Sequence, residues 1–164
     1  MGDDSVITPQ ARRWASREYP DAQITITARD IAKFAYATGE TDPVHFDAEA
    51  ARRAGYRDVV APPMFYLLLR SEPYHLRPRA ELERDGSPSE DIPPLALKRA
   101  MAGETQLEFA GRFVAGDTVT CRKRLHSLTE KRGRSGPLAF LQFEYRYDVE
   151  GRTVVLERFT RILR

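Results

Sequence analysis

From Leu141 to Val149 every second residue is apolar: Leu141, Phe143, Tyr145, Tyr147 and Val149 alternate with Gln142, Glu144, Arg146 and Asp148. A period of two specifies a strand with one buried face and one wet face, so the chain must supply an apolar layer to cover it. Three neighbouring runs have strand character too: Gln106 to Phe109, Thr118 to Leu125 and Arg152 to Leu163. Ala115-Gly116-Asp117 and Glu150-Gly151 supply turns. Together they predict an antiparallel meander.

One segment qualifies as the covering layer. Pro63-Met64-Phe65-Tyr66-Leu67-Leu68-Leu69 is the most apolar helical stretch of the chain, and its side chains cover every direction around the axis, which predicts burial on all sides. Proline suits a helix start, where the first N–H groups lack partners anyway, and Pro73 stops the run. Upstream, Gln23 to Ile26 has strand composition, and Thr27 with Asp30 makes a near capping box. Ile31, Phe34, Ala35 and Thr38 follow at helical spacing until Gly39. Asp47 caps a short helix from Ala48 to Ala54, closed by Gly55. Helices first and a meander afterwards specify an α+β arrangement, a curved antiparallel sheet wrapped around a long central helix.

With 164 residues the chain holds one core that buries roughly 68–70% of the surface exposed on unfolding, and residues 1–164 read as a single domain. Residues 1–22 form an N-terminal extension, with a short helix expected between Gln10 and Tyr19 around Trp14. Residues 73–94, polar and punctuated by prolines, read as a long loop excursion.

The net charge of +2 gives no general affinity for nucleic acid, and no nucleic-acid or membrane partner is expected. The basic runs Arg122-Lys123-Arg124 and Lys131-Arg132-Gly133-Arg134 lack interleaved aromatics. They are solvated strand faces and a loop, or else a patch for the phosphates of coenzyme A or an acidic carrier protein. No apolar run approaches the roughly 18 residues of a membrane helix. Met1-Gly2-Asp3-Asp4 lacks the order of a secretory signal, and the lone Cys121 excludes an internal disulfide framework, so a cytoplasmic location is expected. His75 and His126 read as structural, and the three histidines are too dispersed for a metal site. Ser135 has no nucleophile elbow.

Chemistry concentrates in Gly39-Glu40-Thr41-Asp42-Pro43-Val44-His45, which puts two carboxylates and an imidazole within a short, proline-stiffened loop. Beside the N-terminus of an apolar helix, such groups serve proton transfer at a carbonyl compound, because helix N–H groups stabilise developing negative charge.

The run Phe34-Ala35-Tyr36-Ala37-Thr38-Gly39-Glu40-Thr41-Asp42-Pro43-Val44-His45-Phe46-Asp47, continued by Gly55-Tyr56 and Val60-Ala61-Pro62-Pro63-Met64-Phe65, resembles the MaoC-like family. That family contains (R)-specific enoyl-thioester hydratases and 3-hydroxyacyl dehydratases, and its N-terminal-type half is the closer match. Gly103 to Phe109, Val114 to Val119 and Gly133 to Pro137 look like the same branch. The resemblance implies a hot-dog fold and assembly in pairs, as a homodimer or as a heterodimer with another hot-dog chain. In its catalytic members the loop reads Gly-Asp-x-Asn-Pro-x-His, and the acid and histidine activate water. His45 and Pro43 match; Glu40 stands at the acid position and Asp42 at the asparagine position. A glycine that offers its N–H to the thioester oxygen is replaced by Pro63, which has none.

The resemblance therefore implies a hydro-lyase acting on an enoyl or 3-hydroxyacyl thioester of coenzyme A or a carrier protein, with no metal or redox cofactor. His45, Glu40 and Asp42 are its candidate catalytic residues. The N–H groups of Met64 and Phe65 would hold the thioester oxygen, and Phe65 and Tyr66 would shape the acyl site. Two rivals stand beside it: a non-catalytic, substrate-binding subunit of a heteromeric hydratase, and, with less support, a hot-dog thioesterase.

Overall fold

In the computed structural model, which describes residues 5–71, 77–84, 86, 88, 91–97 and 99–164, the alternating segment becomes the centre of one five-stranded sheet. This strand, β4 (Gly136–Val149), lies between β3 (Thr118–Gly133) and β5 (Arg152–Leu163). β1 (Ala22–Thr25) flanks β3, and β2 (Ala100–Phe109) flanks β5. All pairings are antiparallel. Glu150 and Gly151 have φ of 50° and 76°, the left-handed pair that a tight hairpin between twisted strands requires.

Leu141, Phe143, Tyr145 and Tyr147 are buried, as their period demands, and Leu125, Cys121, Val155 and Leu163 of the neighbouring strands join them. The opposite face departs from the expected wet surface: Glu144 and Asp148 are only 4% and 3% exposed. Arginine stems lie across them. Glu144 accepts from Arg124 at 2.6 Å and from Arg158 at 3.1 Å, and Asp148 pairs with Arg122, which also meets Asp21 at 3.2 Å. The basic run 122–124 is thus absorbed into ion pairs, Lys123 joining Asp91, and is no open phosphate patch. Cys121 sits between Ala22 of β1 and Tyr147 of β4. Burial first, then the charges of Asp148 and Asp21, push its thiol up to about 12.

Against the inner face lies a 3₁₀ turn, Pro63–Phe65, that runs into helix α4 (Tyr66–Ser71). Phe65 and Leu69 are sealed, each worth roughly 1.5–3 kcal/mol of burial. The expected burial on all sides does not hold: Met64 is 46% exposed, and Leu67 and Leu68 are half-buried. The sheet covers one flank of this short helix and Phe34 packs edge-on to Phe65 at 5.4 Å, which leaves the first turn open.

The N-terminal extension forms less helix than expected. Helix α1 (Pro9–Arg12) ends where the chain turns along β3, with Ser16 and Tyr19 N–H donating to the carbonyls of Leu125 and Lys123. These sheet-like bonds compete with a longer helix. Helices α2 (Ala28–Thr38) and α3 (Ala48–Arg53) stand close to their expected bounds. Of the 73–94 excursion, Arg79–Glu81 forms a 3₁₀ turn and Asp91 is buried, as is Leu95 just beyond it; His75 lies outside the described residues. Among the described residues no helix is long and apolar enough to cross a membrane.

Candidate active site

The site grows out of the end of α2. Thr27 caps that helix reciprocally with Asp30, each accepting from the other's N–H at 3.1 Å. Gly39, at φ 76°, closes the helix in the left-handed conformation and sends the chain into the loop. Asp42 then caps a 3₁₀ turn, Pro43–His45, by accepting the Val44 N–H at 3.1 Å. That turn drives His45 inward to 8% exposure while Glu40 and Asp42 stay exposed.

His45 is fixed from two sides. Its Nδ1 lies 2.6 Å from the Val60 carbonyl, and the Val60 N–H donates to the Val44 carbonyl at 3.1 Å. A carbonyl can only accept, so Nδ1 carries the hydrogen, and in the neutral tautomer Nε2 is the nitrogen without one. No described residue hydrogen-bonds to Nε2, and the only sealed side-chain polar atom without a partner among the described residues is Asp148 Oδ1. Nε2 is therefore open to solvent or substrate.

The Val60 carbonyl owes its position to the sheet end. The Ala61 N–H donates to Phe113 at 2.8 Å and the Ala115 N–H to Val59 at 3.0 Å, a short strip that stitches residues 59–61 to the turn before β3. Asp117, paired with Arg57, accepts the Val114 N–H at 2.7 Å and fastens that turn. The sequence alone assigns Val60 no role, because a main-chain acceptor leaves no trace in residue type.

The other expected residues divide. Neither the Glu40 nor the Asp42 carboxylate hydrogen-bonds to the His45 ring; the Asp42 carbonyl accepts the His45 N–H at 3.1 Å, and one carboxylate oxygen of Asp42 is engaged at its cap. At the helix start Pro63 has no N–H and the Phe65 N–H donates to the Pro62 carbonyl at 3.0 Å, so Met64 carries the free donor of that turn. The side chains of Phe65 and Tyr66, 0% and 2% exposed, belong to the core and not to an open channel. Further along α4, Arg70 meets the fully buried Glu157 at 2.5 Å, and the Tyr147 hydroxyl donates to the same carboxylate at 2.8 Å. This triad was missed too, although Glu157 falls on the apolar phase of β5 between Val155 and Phe159.

A family model described as "FAS1-like, dehydratase domain region" matches residues 13–157. The chain belongs to this family. Among relatives of the FAS1-like dehydratase region, a UPF0336 protein of Leifsonia xyli subsp. xyli is 33% identical over 113 residues, 68% of this chain and 69% of that protein. One from Streptomyces griseus subsp. griseus is 31% identical over 73% of this chain and 74% of its own. In fold, the chain is similar to the ChsH1–ChsH2 complex of Mycobacterium tuberculosis, with a TM-score of 0.70 at 17% identity, covering 93% of this chain and 91% of that one. It is also similar to the C-terminally truncated HadBC (3R-hydroxyacyl-ACP dehydratase) complex of the same organism, with a TM-score of 0.68 at 19% identity and coverage of 91% and 96%. The (R)-hydratase of A. caviae involved in PHA biosynthesis shares the fold at a TM-score of 0.63 and 18% identity, covering 90% of this chain and 94% of that one. The architecture is that of the MaoC-like hot-dog dehydratases.

Proposed function

We propose that this chain is a MaoC-like hydratase/dehydratase that adds water to, or removes it from, an acyl thioester carried by coenzyme A or a carrier protein. The observation that carries the reading is the Nδ1 contact of His45 with the Val60 carbonyl, which leaves Nε2 as the ring nitrogen available to act as base. In hydration Nε2 takes a proton from water, the oxygen adds to the β-carbon, and the enolate oxygen that develops is met by the Met64 N–H. A proton then reaches the α-carbon from His45, with Glu40 or Asp42 orienting the water. The reaction needs no metal or redox cofactor, and a cytoplasmic setting suits it. Purified protein mixed with crotonyl-CoA and longer enoyl-CoA thioesters is expected to consume the enoyl absorbance, and His45→Ala to abolish that loss. No turnover by the unaltered chain, or equal turnover by the variant, overturns self-sufficient catalysis.

A second reading has its own support. The Glu40 carboxylate makes no hydrogen bond to His45, and Pro63 removes an N–H whose loss costs on the order of 10²–10³ in rate at an oxyanion site. Both fit a substrate-binding subunit that works beside a catalytic hot-dog chain; co-purification with such a chain, and activity only in the mixture, would establish it. A thioesterase has less support, since α4 carries no acid, and release of free thiol is its signature.

Either reading involves pairing. The large apolar side chains with exposure well above core values, Tyr36, Phe46, Met64, Met101 and Phe109, fall on α2, around His45 or on the free edge strand β2. A homodimer or a heterodimer joined through β2 would cover that edge.

A further inference from the structure

A wide cavity lies at the opposite end of the sheet from His45. It has a volume of about 980 Å³ and is lined by the N-terminal extension, residues 83–84 and 92–97, and the Ala100 and Leu163 ends of β2 and β5. His45 is tied to residues 113–115 beyond the other end of β2, and a ten-residue strand spans roughly 30 Å. The floor is apolar, with Trp14, Leu95 and Met101; the rim carries Arg17, Arg84, Arg99, Arg161 and Arg164, against Glu83 as the one acid among the lining residues.

Two of these arginines are placed as a pair. Arg99 and Arg164 exchange both main-chain hydrogen bonds, each at 2.9 Å, so they stand directly opposite across an antiparallel ladder with side chains on the same face. Like charges in that position repel. Elsewhere Arg122, Arg124 and Arg158 of the sheet and Arg70 of α4 each meet a carboxylate. Arg17, Arg84, Arg99 and Arg164 form no ion pair with any described residue. Arg17 is held over the Trp14 ring at 4.0 Å, which keeps a cation at the edge of the floor. Adjacent guanidinium forks that pair with no carboxylate among the described residues, beside an apolar trough, match a phosphate attached to a carbon chain.

We propose that this groove binds the phosphopantetheine portion of the thioester carrier, with Arg99 and Arg164 on phosphate and the trough under the adjoining chain. This deepens the thioester reading and rests on it. Pairing supplies the link to chemistry. Two copies joined edge to edge by a two-fold axis run their β2 strands antiparallel, so the Ala100 end of one protomer lies beside the Phe109 end of its partner. The groove of one chain thereby adjoins the His45 end of the other.

The test is titration calorimetry of the full chain with coenzyme A and, separately, with 4′-phosphopantetheine, comparing the unaltered protein with Arg99→Gln/Arg164→Gln. The double variant is expected to bind on the order of tenfold or more weakly, and the unaltered protein to lose affinity with added salt. Equal affinity for both ligands assigns the phosphate subsite to the arm shared with carrier proteins; a clear preference for coenzyme A assigns it to the nucleotide phosphates as well. Failure of the unaltered chain to bind either, or unchanged affinity in the variant, overturns the groove. Circular dichroism of Arg99→Lys/Arg164→Lys, which keeps charge but loses the forks, separates misfolding from lost contacts. Because binding is read without turnover, an inactive but binding protein defeats the catalytic reading alone. Where turnover exists, mixing His45→Ala with the arginine double variant should restore activity, since one of the two shared sites in a mixed dimer is then intact. No restoration would refute the groove's service to the partner's site.

Discussion

His45 is held by one hydrogen bond that decides its chemistry. Replacing it with glutamine should leave the fold standing and lower kcat by about 10²–10⁴, the usual worth of a positioned acid/base, as followed by enoyl absorbance. Glu157 poses the opposite case, a carboxylate whose value is structural. Burial holds its carboxyl above the ordinary glutamate range, while Arg70 and the Tyr147 hydroxyl work against that shift. The folded chain therefore keeps this proton to higher pH than the unfolded chain does. Its contribution is most favourable below the ordinary glutamate value and declines as pH rises through the raised one. Urea midpoints measured from pH 4 upward should show that decline, and Glu157→Gln should flatten it. Glu157→Ala, which strands Arg70 and Tyr147, should cost about 3–5 kcal/mol. Residue type and spacing made His45 legible in the sequence. They could not show that Glu40 makes no hydrogen bond to it, because a carboxylate's direction depends on the turn that precedes it.

At the scale of elements, the site depends on where α2 stops. Gly39 at φ 76° has open space around it, so Gly39→Ala should fold but cost about 1 kcal/mol in backbone strain, visible as a lower thermal midpoint. Thr27→Ala should cost a similar ~1 kcal/mol through loss of the cap, with little effect on turnover at a temperature where the fold holds. The caps, the α2 and α3 helices and the β4–β5 hairpin were readable because each rests on local chemistry: Thr27, Asp47, Gly39 and Glu150-Gly151. The first half of β2 was not. Ala100 to Gln106 is exposed throughout and is a strand only because β5 pairs with it, so its pattern carries no period of two. The exposed start of the central helix escaped for the same reason: whether Met64 is covered depends on what packs there, not on its own hydrophobicity.

For the whole molecule, the sheet has a short edge at β1 and a long one at β2, and the exposed Met101 and Phe109 lie on the latter. Met101→Asp/Phe109→Asp should shift the sedimentation of the protein toward the monomer without loss of far-ultraviolet dichroism. An unchanged profile would place the partner elsewhere. The proposal of pairing rests on family likeness and on exposure, since a single chain's pattern says what must be buried but not which copy would bury it. Cys121 turns the same architecture into a measuring device. With its thiol pushed up to about 12, the reactive thiolate is on the order of 10⁻⁴ of the population at pH 8, and the four-residue β1 lies across it at Ala22. The residue is only 9% exposed, so labelling by a thiol reagent waits on local opening, and the rate at this one sulfur counts how often the folded chain breathes around its shortest strand.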